Sequence, residues 1–366
     1  LKYLFSLLLL SQICAAQQSG IYGMVKDKNS GEPVLFAHIY LANTTRGTTS
    51  DTNGNFVLEN IPEGQFTLVC TMVGYDPYTK DINLRPGRPT ELMIEMMPSV
   101  NMLNEIELVD KEDKKWRKKF EEFKRELLGD MPNADHCEII NPWVVNFEND
   151  RRFKNIRAHA DQPIIIHNKA LGYKLGFLLI RFEKEIDRLF YLGYPNFDTL
   201  SATDSSSLEN IKKNREETYR GSIRHFFYAL VNDKLEDEGF LLYNIANGFE
   251  HRGIESLQGA IDEHIFKPTN VTDIIHDSNP WGNHTIYTSG ALEVIYTKKS
   301  WKNSPYWDAP YQVSRIIMND KLVVSKNGYV FNPFSFIVYG YLSEERLANM
   351  LPFEYGLDTM DDHGQP

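Results

Sequence analysis

The chain has 366 residues, 42% of them hydrophobic and 12% aromatic, which is enough apolar material for two or three domains with sizeable cores. Its formal net charge of −11 excludes a general nucleic-acid binder, because phosphate backbones are held by clustered Lys and Arg. No basic stretch with interleaved aromatics offsets that balance.

The first residues read as a targeting segment. Lys2 supplies a positive end, Tyr3 to Leu10 an apolar run, and Cys14-Ala15-Ala16 small residues at both cleavage positions. The run is shorter than the about 20 apolar residues a membrane span needs. No other segment is expected to cross a bilayer as a helix. Residues 1–16 are therefore expected to be a signal peptide, cleaved before Gln17. Cys14 opens a lipoprotein alternative, but bacterial lipid attachment favours a small residue just before the Cys, and Ile13 stands there. Cys70 and Cys137 remain after cleavage. An oxidising compartment would permit a bridge, but Cys70 lies mid-strand in "FTLVCTMV" and Cys137 falls in another domain, so two separate thiols are expected.

Residues 19–97 read as short strands at 21–27, 34–42, 48–50, 55–59, 65–73, 77–84 and 90–96. Turn clusters such as "DKNSGEP", "ANTTRG", "DTNG" and "RPGRP" separate them. Even spacing with turns between predicts a β-sandwich. Leu35, Ala37, Ile39 and Leu41 alternate onto one face, as do Phe66, Leu68, Cys70 and Met72. Within "SDTNGNFVLENIPEGQF", Asp51, Asn53 and Asn55 alternate like the first ligands of a calcium loop. That loop requires Gly at its sixth position and Glu at its twelfth, where this chain has Phe56 and Pro62. A hairpin explains more: Asn53-Gly54 is a turn dipeptide, Phe56 to Leu58 a strand, and Asn60 to Gly64 a second turn.

The same stretch resembles the carboxypeptidase-regulatory-like domain. The residues that carry the resemblance are Gly23-Met24-Val25, Glu32-Pro33 with Ala37 and Ile39, Asp51 with Gly54 and Phe56, and Val73-Gly74-Tyr75. The resemblance implies a seven-stranded prealbumin-like sandwich. It also implies an envelope setting, since such domains precede TonB-dependent outer-membrane importers. It does not imply peptidase activity, because the domain is an accessory in the carboxypeptidases themselves.

A linker and amphipathic helix are expected over 98–130. In "KEDKKWRKKFEEFKRELLGD", Trp116, Phe120, Phe123 and Leu127 fall on one helical stripe, and Gly129 is a stop. Residues 131–355 then read as an α+β domain with largely antiparallel sheet, followed by a tail over 356–366. Strands are expected in "WVVNF", "IRAHA", "PIIIHN", "YKLGFLLIRFEKE" and "RLFYLGYPNF", and again at 240–246, 292–298, 312–318, 322–325 and 336–342. The segment from Ser207 to Gly239 is expected to be one helical insertion kinked at Gly221. The part around "CEIINPWVV", "LGYKLGFLLIRFE", "NREETYRGSIRHFFYALV" and "LPFEYG" resembles the uncharacterised C-terminal region of a family of bacterial envelope proteins. It cannot supply the roughly 22 strands of an outer-membrane importer.

Motifs that carry chemistry are sparse. No His-x-x-Glu pair, H-E-x-x-H, Cys pair at metal spacing, G-x-S-x-G elbow or phosphate loop occurs. No metal or cofactor is expected. Cys137 beside His136 is a weak nucleophile candidate, because activation needs a spatial hydrogen bond from a base such as His159, His167 or His225. Arg215 and Arg224, in a helical segment with Asn214 and His225, could hold a carboxylate or phosphate, or could pair internally with Glu216 and Glu217 or dock the helix onto the sheet. "SWKNSPYWDAPYQ" gathers Trp301, Tyr306, Trp307 and Tyr311 in a loop, either as a sugar-stacking platform or as a small core. Asp198-Thr199-Leu200 and Asp358-Thr359-Met360 match an O-glycosylation pattern found in some bacteria of the implied class.

The expectation is an exported, non-catalytic accessory or docking protein beside outer-membrane machinery, periplasmic or outer-membrane associated, with an envelope protein as partner. The alternatives are a surface glycan-binding protein using the 301–311 aromatics, or a hydrolase whose constellation the sequence does not display.

Overall fold

The computed structural model describes residues 19–61, 64–85, 87–99, 114–148, 155–186, 188–201, 204–245, 253–279, 282–331 and 333–356. The expected signal peptide with Cys14, residues 100–113 of the linker, Pro62 and the Asp358-Thr359-Met360 site lie outside these residues, as does the tail beyond Gly356. The chain divides into two compact units, Leu1–Ala42 with Arg46–Ile106, and Asn43–Thr45 with Glu107–Pro366.

The first unit is a β-sandwich. Its strands are β1 (Ser19–Asp27), β2 (His38–Leu41), β3 (Gly47–Thr49), β4 (Asn55–Ile61), β5 (Gly64–Thr71), β6 (Tyr78–Leu84) and β7 (Thr90–Met96). One sheet has the order β4-β1-β7 and the other β3-β2-β5-β6. The β1–β7 pair is parallel and the β1–β4 pair antiparallel. Ile21, Val25, Phe56, Leu58, Leu92 and Ile94 from one sheet, and Ala37, Ile39, Leu41, Leu68 and Cys70 from the other, are buried. Cys70 Sγ lies 3.5 Å from Met96 Sδ. Burial pushes the Cys70 thiol up to about 12, so it is a packing group.

Two expectations about the strands need correction. The second strand starts at His38, not at residue 34, because Phe36 adopts φ 56° and breaks the extended run. Leu35 is consequently exposed rather than on the buried face. Tyr40 and Val69 are buried along with their neighbours, so β2 and β5 are covered on both faces.

The motif residues of this unit have structural work. At Gly23 a Cβ would sit 1.8 Å from the Leu92 carbonyl oxygen, so only glycine lets β1 lie against β7. Gly54 has φ +77°, and its carbonyl accepts the Val25 N–H at 2.8 Å. Asp51 Oδ1 accepts the N–H groups of Asn53 and Asn55, each at 2.8 Å, which closes the turn and leaves that oxygen committed to the backbone. The Tyr75 hydroxyl donates to Asp27 Oδ2 at 3.0 Å, and Asp27 Oδ1 also accepts from the N–H groups of Asn29 and Ser30.

The second unit has two main antiparallel sheets separated in sequence by helices, and a small three-stranded one. Helix α1 (Lys114–Leu128) buries Phe120, Phe123 and Leu127, the apolar stripe read from the sequence. The Phe123 ring meets Phe182 at 4.8 Å and Phe147 at 5.7 Å. Each such side chain contributes about 1.5–3 kcal/mol when fully buried. Gly129, with φ +87°, stops the helix and donates its N–H to the Arg125 carbonyl at 2.8 Å.

The first sheet holds β8 (Cys137–Ile139), β9 (Val145–Phe147), β10 (Ile156–Ala160), β11 (Ile164–Asn168), β12 (Tyr173–Lys184) and β13 (Leu189–Thr199). Strand β12 organises it. Its start pairs with β11, its end with β10, and β13 runs along it. "WVVNF" is not all strand, because Pro142–Val144 is a 3₁₀ turn opened by the proline.

The helical insertion is three helices rather than one kinked helix: α2 (Ser205–Tyr219), α3 (Ile223–Val231) and α4 (Leu235–Glu238). Asp204 caps α2 and Ser222 caps α3. Gly221 between them has φ +81°, and a Cβ there would lie 2.6 Å from Tyr296 Cδ1. Gly239, in the left-handed conformation, ends α4.

The second sheet follows, with β14 (Phe240–Ile245), helix α5 (Leu257–Asp262), β15 (Phe266–Pro268), β16 (Ile275–Ser278), β17 (Asn283–Ile286), β18 (Ala291–Ser300), β19 (Tyr311–Met318), β20 (Leu322–Ser325) and β21 (Phe336–Gly340). The main sheet has the order β15-β14-β18-β19-β21, and β16-β17-β20 form a small separate one. Phe226, Phe227 and Leu230 of α3 pack with Leu242, Leu292, Val294 and Ile316. A second cluster gathers Ile295 and Val313 with Ala260 and Tyr306.

Candidate functional site

Strands β18 and β19 and helix α5 position the aromatic loop. Tyr306 is only 2% exposed and packs on Phe266 with ring centroids 5.9 Å apart. Its hydroxyl donates to the Glu293 carboxylate, which is itself 2% exposed. The other Glu293 oxygen accepts Arg315 Nε at 2.7 Å across the β18–β19 pair. Burial first, and the Glu293 charge second, push the Tyr306 hydroxyl far above its ordinary range. This buried Tyr–Glu–Arg group is fully bonded, and sequence reading missed Glu293 because nothing in "GALEVIYTKKS" marks it.

The loop is tied to α5 by Asp308, whose carboxylate accepts the N–H groups of Leu257 and Gln258 and the Ser256 hydroxyl, at 2.8–2.9 Å. Burial raises the Asp308 pKa, but these bonds outweigh it and hold the group below its ordinary value. Trp301 is half-buried against Tyr341 at 5.8 Å, and Tyr311 opens β19 beside the same core. Trp307, 76% exposed, stands out of it. The four aromatics therefore form no common shelf: Trp301, Tyr306 and Tyr311 contribute to a small core, and Trp307 faces water.

The two arginines have different fates. Helix α2 docks on the 168–172 loop, where Asn214 Nδ2 donates to the Ala170 carbonyl at 3.0 Å and Arg215 Nε to the Leu171 carbonyl at 2.8 Å. The Arg215 guanidinium lies 3.9 Å from the Tyr173 ring centroid. Arg224 on α3 donates to the carbonyls of Pro352, at 2.6 Å, and Phe353, so it fastens the 352–353 segment to the helix. Neither arginine pairs with Glu216 or Glu217, the partners offered by the sequence. Glu216 instead accepts Arg220 Nε at 2.9 Å.

His225 is fully buried. Its Nδ1 accepts the Gly221 N–H at 2.9 Å, so Nε2 carries the proton and donates to Glu238 Oε2 at 3.0 Å. Burial holds its pKa well below the ordinary imidazole value and keeps the ring neutral. This arrangement braces the α2–α3 break. Cys137 donates to the Asn133 carbonyl, and burial pushes its thiol up to about 12. A thiol so placed is a poor nucleophile. Ser278 Oγ and His284 Nδ1 meet at 2.8 Å across β16 and β17. Thr199 of the Asp198-Thr199-Leu200 pattern ends β13 exposed, with Asp198 paired to Lys174 at 3.2 Å.

Residues 21–108 match the family of the CarboxypepD_reg-like domain. The first unit is a CarboxypepD_reg-like domain. A segment of the chain is also similar to the TonB-dependent receptor SusC of Bacteroides thetaiotaomicron, at 42% identity over 62 residues. That alignment covers 17% of this chain and 6% of the receptor, so the chain spans a small part of that relative's length. Among solved structures, the group B streptococcus pilus 2b backbone protein is 14% identical, with 23% of this chain and 42% of that one covered at a TM-score of 0.20. Catechol 1,2-dioxygenase from Acinetobacter sp. ADP1 is 11% identical, with 25% and 56% covered at 0.21. At these scores the likeness carries neither fold nor function to this chain. The family match ends at residue 108, before the second unit's helix α1 begins at Lys114.

Proposed function

We propose that the chain is an exported, non-catalytic accessory or docking protein that works beside the outer-membrane machinery of a bacterial envelope. The observation that carries the reading is the CarboxypepD_reg-like domain over residues 21–108, together with a segment shared with a TonB-dependent receptor. Among the described residues, no helix is long and apolar enough to cross a membrane.

A non-catalytic role draws support from how the reactive groups are used. The Cys137 thiol is raised and hydrogen-bonded to a carbonyl, and His225 is locked between Gly221 and Glu238. Ser278 and His284 form a pair on an exposed hairpin, and the triad logic would need a third group to orient the imidazole. The glycan-binding alternative rests on Trp307, the one exposed indole of the 301–311 loop. Cell fractionation with intact mass measurement tests the envelope placement. The chain is expected in the periplasmic or outer-membrane fraction, starting at or near Gln17, and a cytosolic chain with residues 1–16 retained contradicts the reading.

A further inference from the structure

We infer that β21 is the meeting edge between two copies of this chain, which pair the strand antiparallel with itself and so join their main sheets into one. The strand is the last in the order β15-β14-β18-β19-β21, and among the described residues no strand pairs with its outer side. It is anchored on one face. Phe336 and Val338 pack against the core that holds Phe227, whose ring meets Phe336 at 5.8 Å. Ile337 and Tyr339 alternate onto the other face and are 45% and 51% exposed. Phe334, just before the strand, is 52% exposed.

The outer side of an edge strand is a row of unpaired N–H and C=O groups, which natural sheets blunt with charge or proline. The other edge of the same sheet follows that rule, since β15 carries Lys267 and Pro268. So do three edge strands of the sandwich: β4 has Glu59, β6 has Lys80 and Asp81, and β7 has Glu91 and Glu95. Strand β21 does not. Phe336-Ile337-Val338-Tyr339-Gly340 holds neither a charge nor a proline, and its open face is apolar.

Charge argues for the occupant. The chain has 50 acidic against 39 basic residues, so two copies repel wherever their acidic surfaces meet. Strand β21 offers a meeting line without charge. Tyr339 stands across from Arg315 of β19, but that guanidinium is neutralised by Glu293 at 2.7 Å. A charged partner therefore finds nothing on this edge to steer it. A second copy fits. With Val338 on the two-fold axis, Ile337 stands opposite Tyr339 of the second copy, and Tyr339 opposite its Ile337. Each is an aromatic–β-branched pair, of the kind that stabilises an antiparallel ladder. Pairing about a two-fold axis also closes on itself, since it uses the same edge of both copies. The contact is small, so the dimer is expected to form reversibly as concentration rises. This assembly stands apart from the docking reading.

The test is analytical ultracentrifugation of the full chain over a concentration series, with a reversible monomer–dimer equilibrium expected. Ile337→Lys combined with Tyr339→Lys puts like charges opposite each other twice and is expected to weaken association at least about tenfold. Its circular dichroism and thermal melt are expected to stay those of the parent, because both side chains are exposed in the single chain. Register is read by Ile337→Cys combined with Tyr339→Cys, which sets two thiols opposite two at strand-pair distance. Mild oxidation is expected to link the copies of this double variant covalently, and to leave either single variant unlinked. A monomer throughout the series, growth past the dimer, a dimer that the double Lys variant leaves unweakened, or linking no stronger in the double Cys variant than in the singles overturns the proposal.

Discussion

In the CarboxypepD_reg-like sandwich, the residues that stand out in the sequence shape the backbone. In the second unit, most of the residues that stand out are absorbed into packing. Gly23, Asp51, Gly54 and Tyr75 form a close strand approach and turn closures that their local sequence announces. Trp301, Tyr306, Tyr311 and Arg224 look like contact residues in the sequence, yet the fold turns them inward onto Tyr341, Glu293 and the carbonyls of 352–353. The difference lies in the signal. The Asp51 turn closes on its near neighbours Asn53 and Asn55, and Gly23 and Tyr75, whose partners Leu92 and Asp27 are remote, are marked by the family motif, whereas nothing in the sequence marks the partners of the aromatic loop or of the arginines.

That comparison can be broken first at Gly23. Gly23→Ala would place a methyl 1.8 Å from the Leu92 oxygen, and it is expected to cost more than about 4 kcal/mol or to prevent folding of the first unit. Gly31→Ala is the control: its φ is +74° but its Cβ would meet nothing within 4 Å, so about 1 kcal/mol is expected. Denaturant unfolding of both variants gives the ranking, and a loss at Gly23 no larger than that at Gly31 would contradict the close approach of β1 to β7.

The next largest effect belongs to the second unit. Tyr306→Phe leaves the buried Glu293 carboxylate without one donor and is expected to cost about 1–3 kcal/mol by thermal and chemical unfolding. A neutral outcome would mean that the Tyr–Glu–Arg group is not a packing element and would reopen the 301–311 loop as a ligand platform.

A smaller effect is expected from Asp51→Asn, and it is read through pH. The N–H bonds from Asn55 and Asn53 hold the folded Asp51 carboxyl below its ordinary value of 3.8. Its stabilisation is therefore complete above that value and is lost as pH falls through the lowered folded value. The variant should flatten part of the loss of stability below about pH 4 relative to the parent chain. An unchanged acid limb would contradict the assigned turn role.

The smallest effect is at Trp307. Trp307→Ala is expected to shift stability by no more than about 0.5 kcal/mol, since the indole is exposed. If it also leaves affinity electrophoresis in envelope polysaccharides unchanged, the glycan alternative loses its remaining aromatic.

Legibility in the sequence followed the same division. The sandwich strands were readable because period-two alternation and Gly, Asn and Pro turns are local signals, and the misplacement of Leu35 came from Phe36 adopting a left-handed conformation with no glycine to mark it. In the second unit, β16 "IHDS" and β17 "NHTI" were missed because their polar residues hide the period, although Ile286 is fully buried. The helix from 207 to 239 was overextended because Gly221 reads as a tolerated helix glycine until its φ +81° is seen. The sequence paired Arg215 with Arg224 as equals. Their acceptors, Leu171 and Pro352, are remote in the chain, and so is Tyr173, so no spacing could have shown that each arginine docks its helix on a different segment.

The central claim, a non-catalytic docking role at the envelope, is tested most directly by in-cell crosslinking of the tagged full chain in the bacterium that produces it, followed by mass spectrometry of the adducts. The account predicts a defined adduct with an outer-membrane protein that forms equally with the parent chain and with Cys137→Ser. A chain that forms no adduct with any envelope protein, or a folded Cys137→Ser variant that loses an activity the parent chain shows, would contradict it.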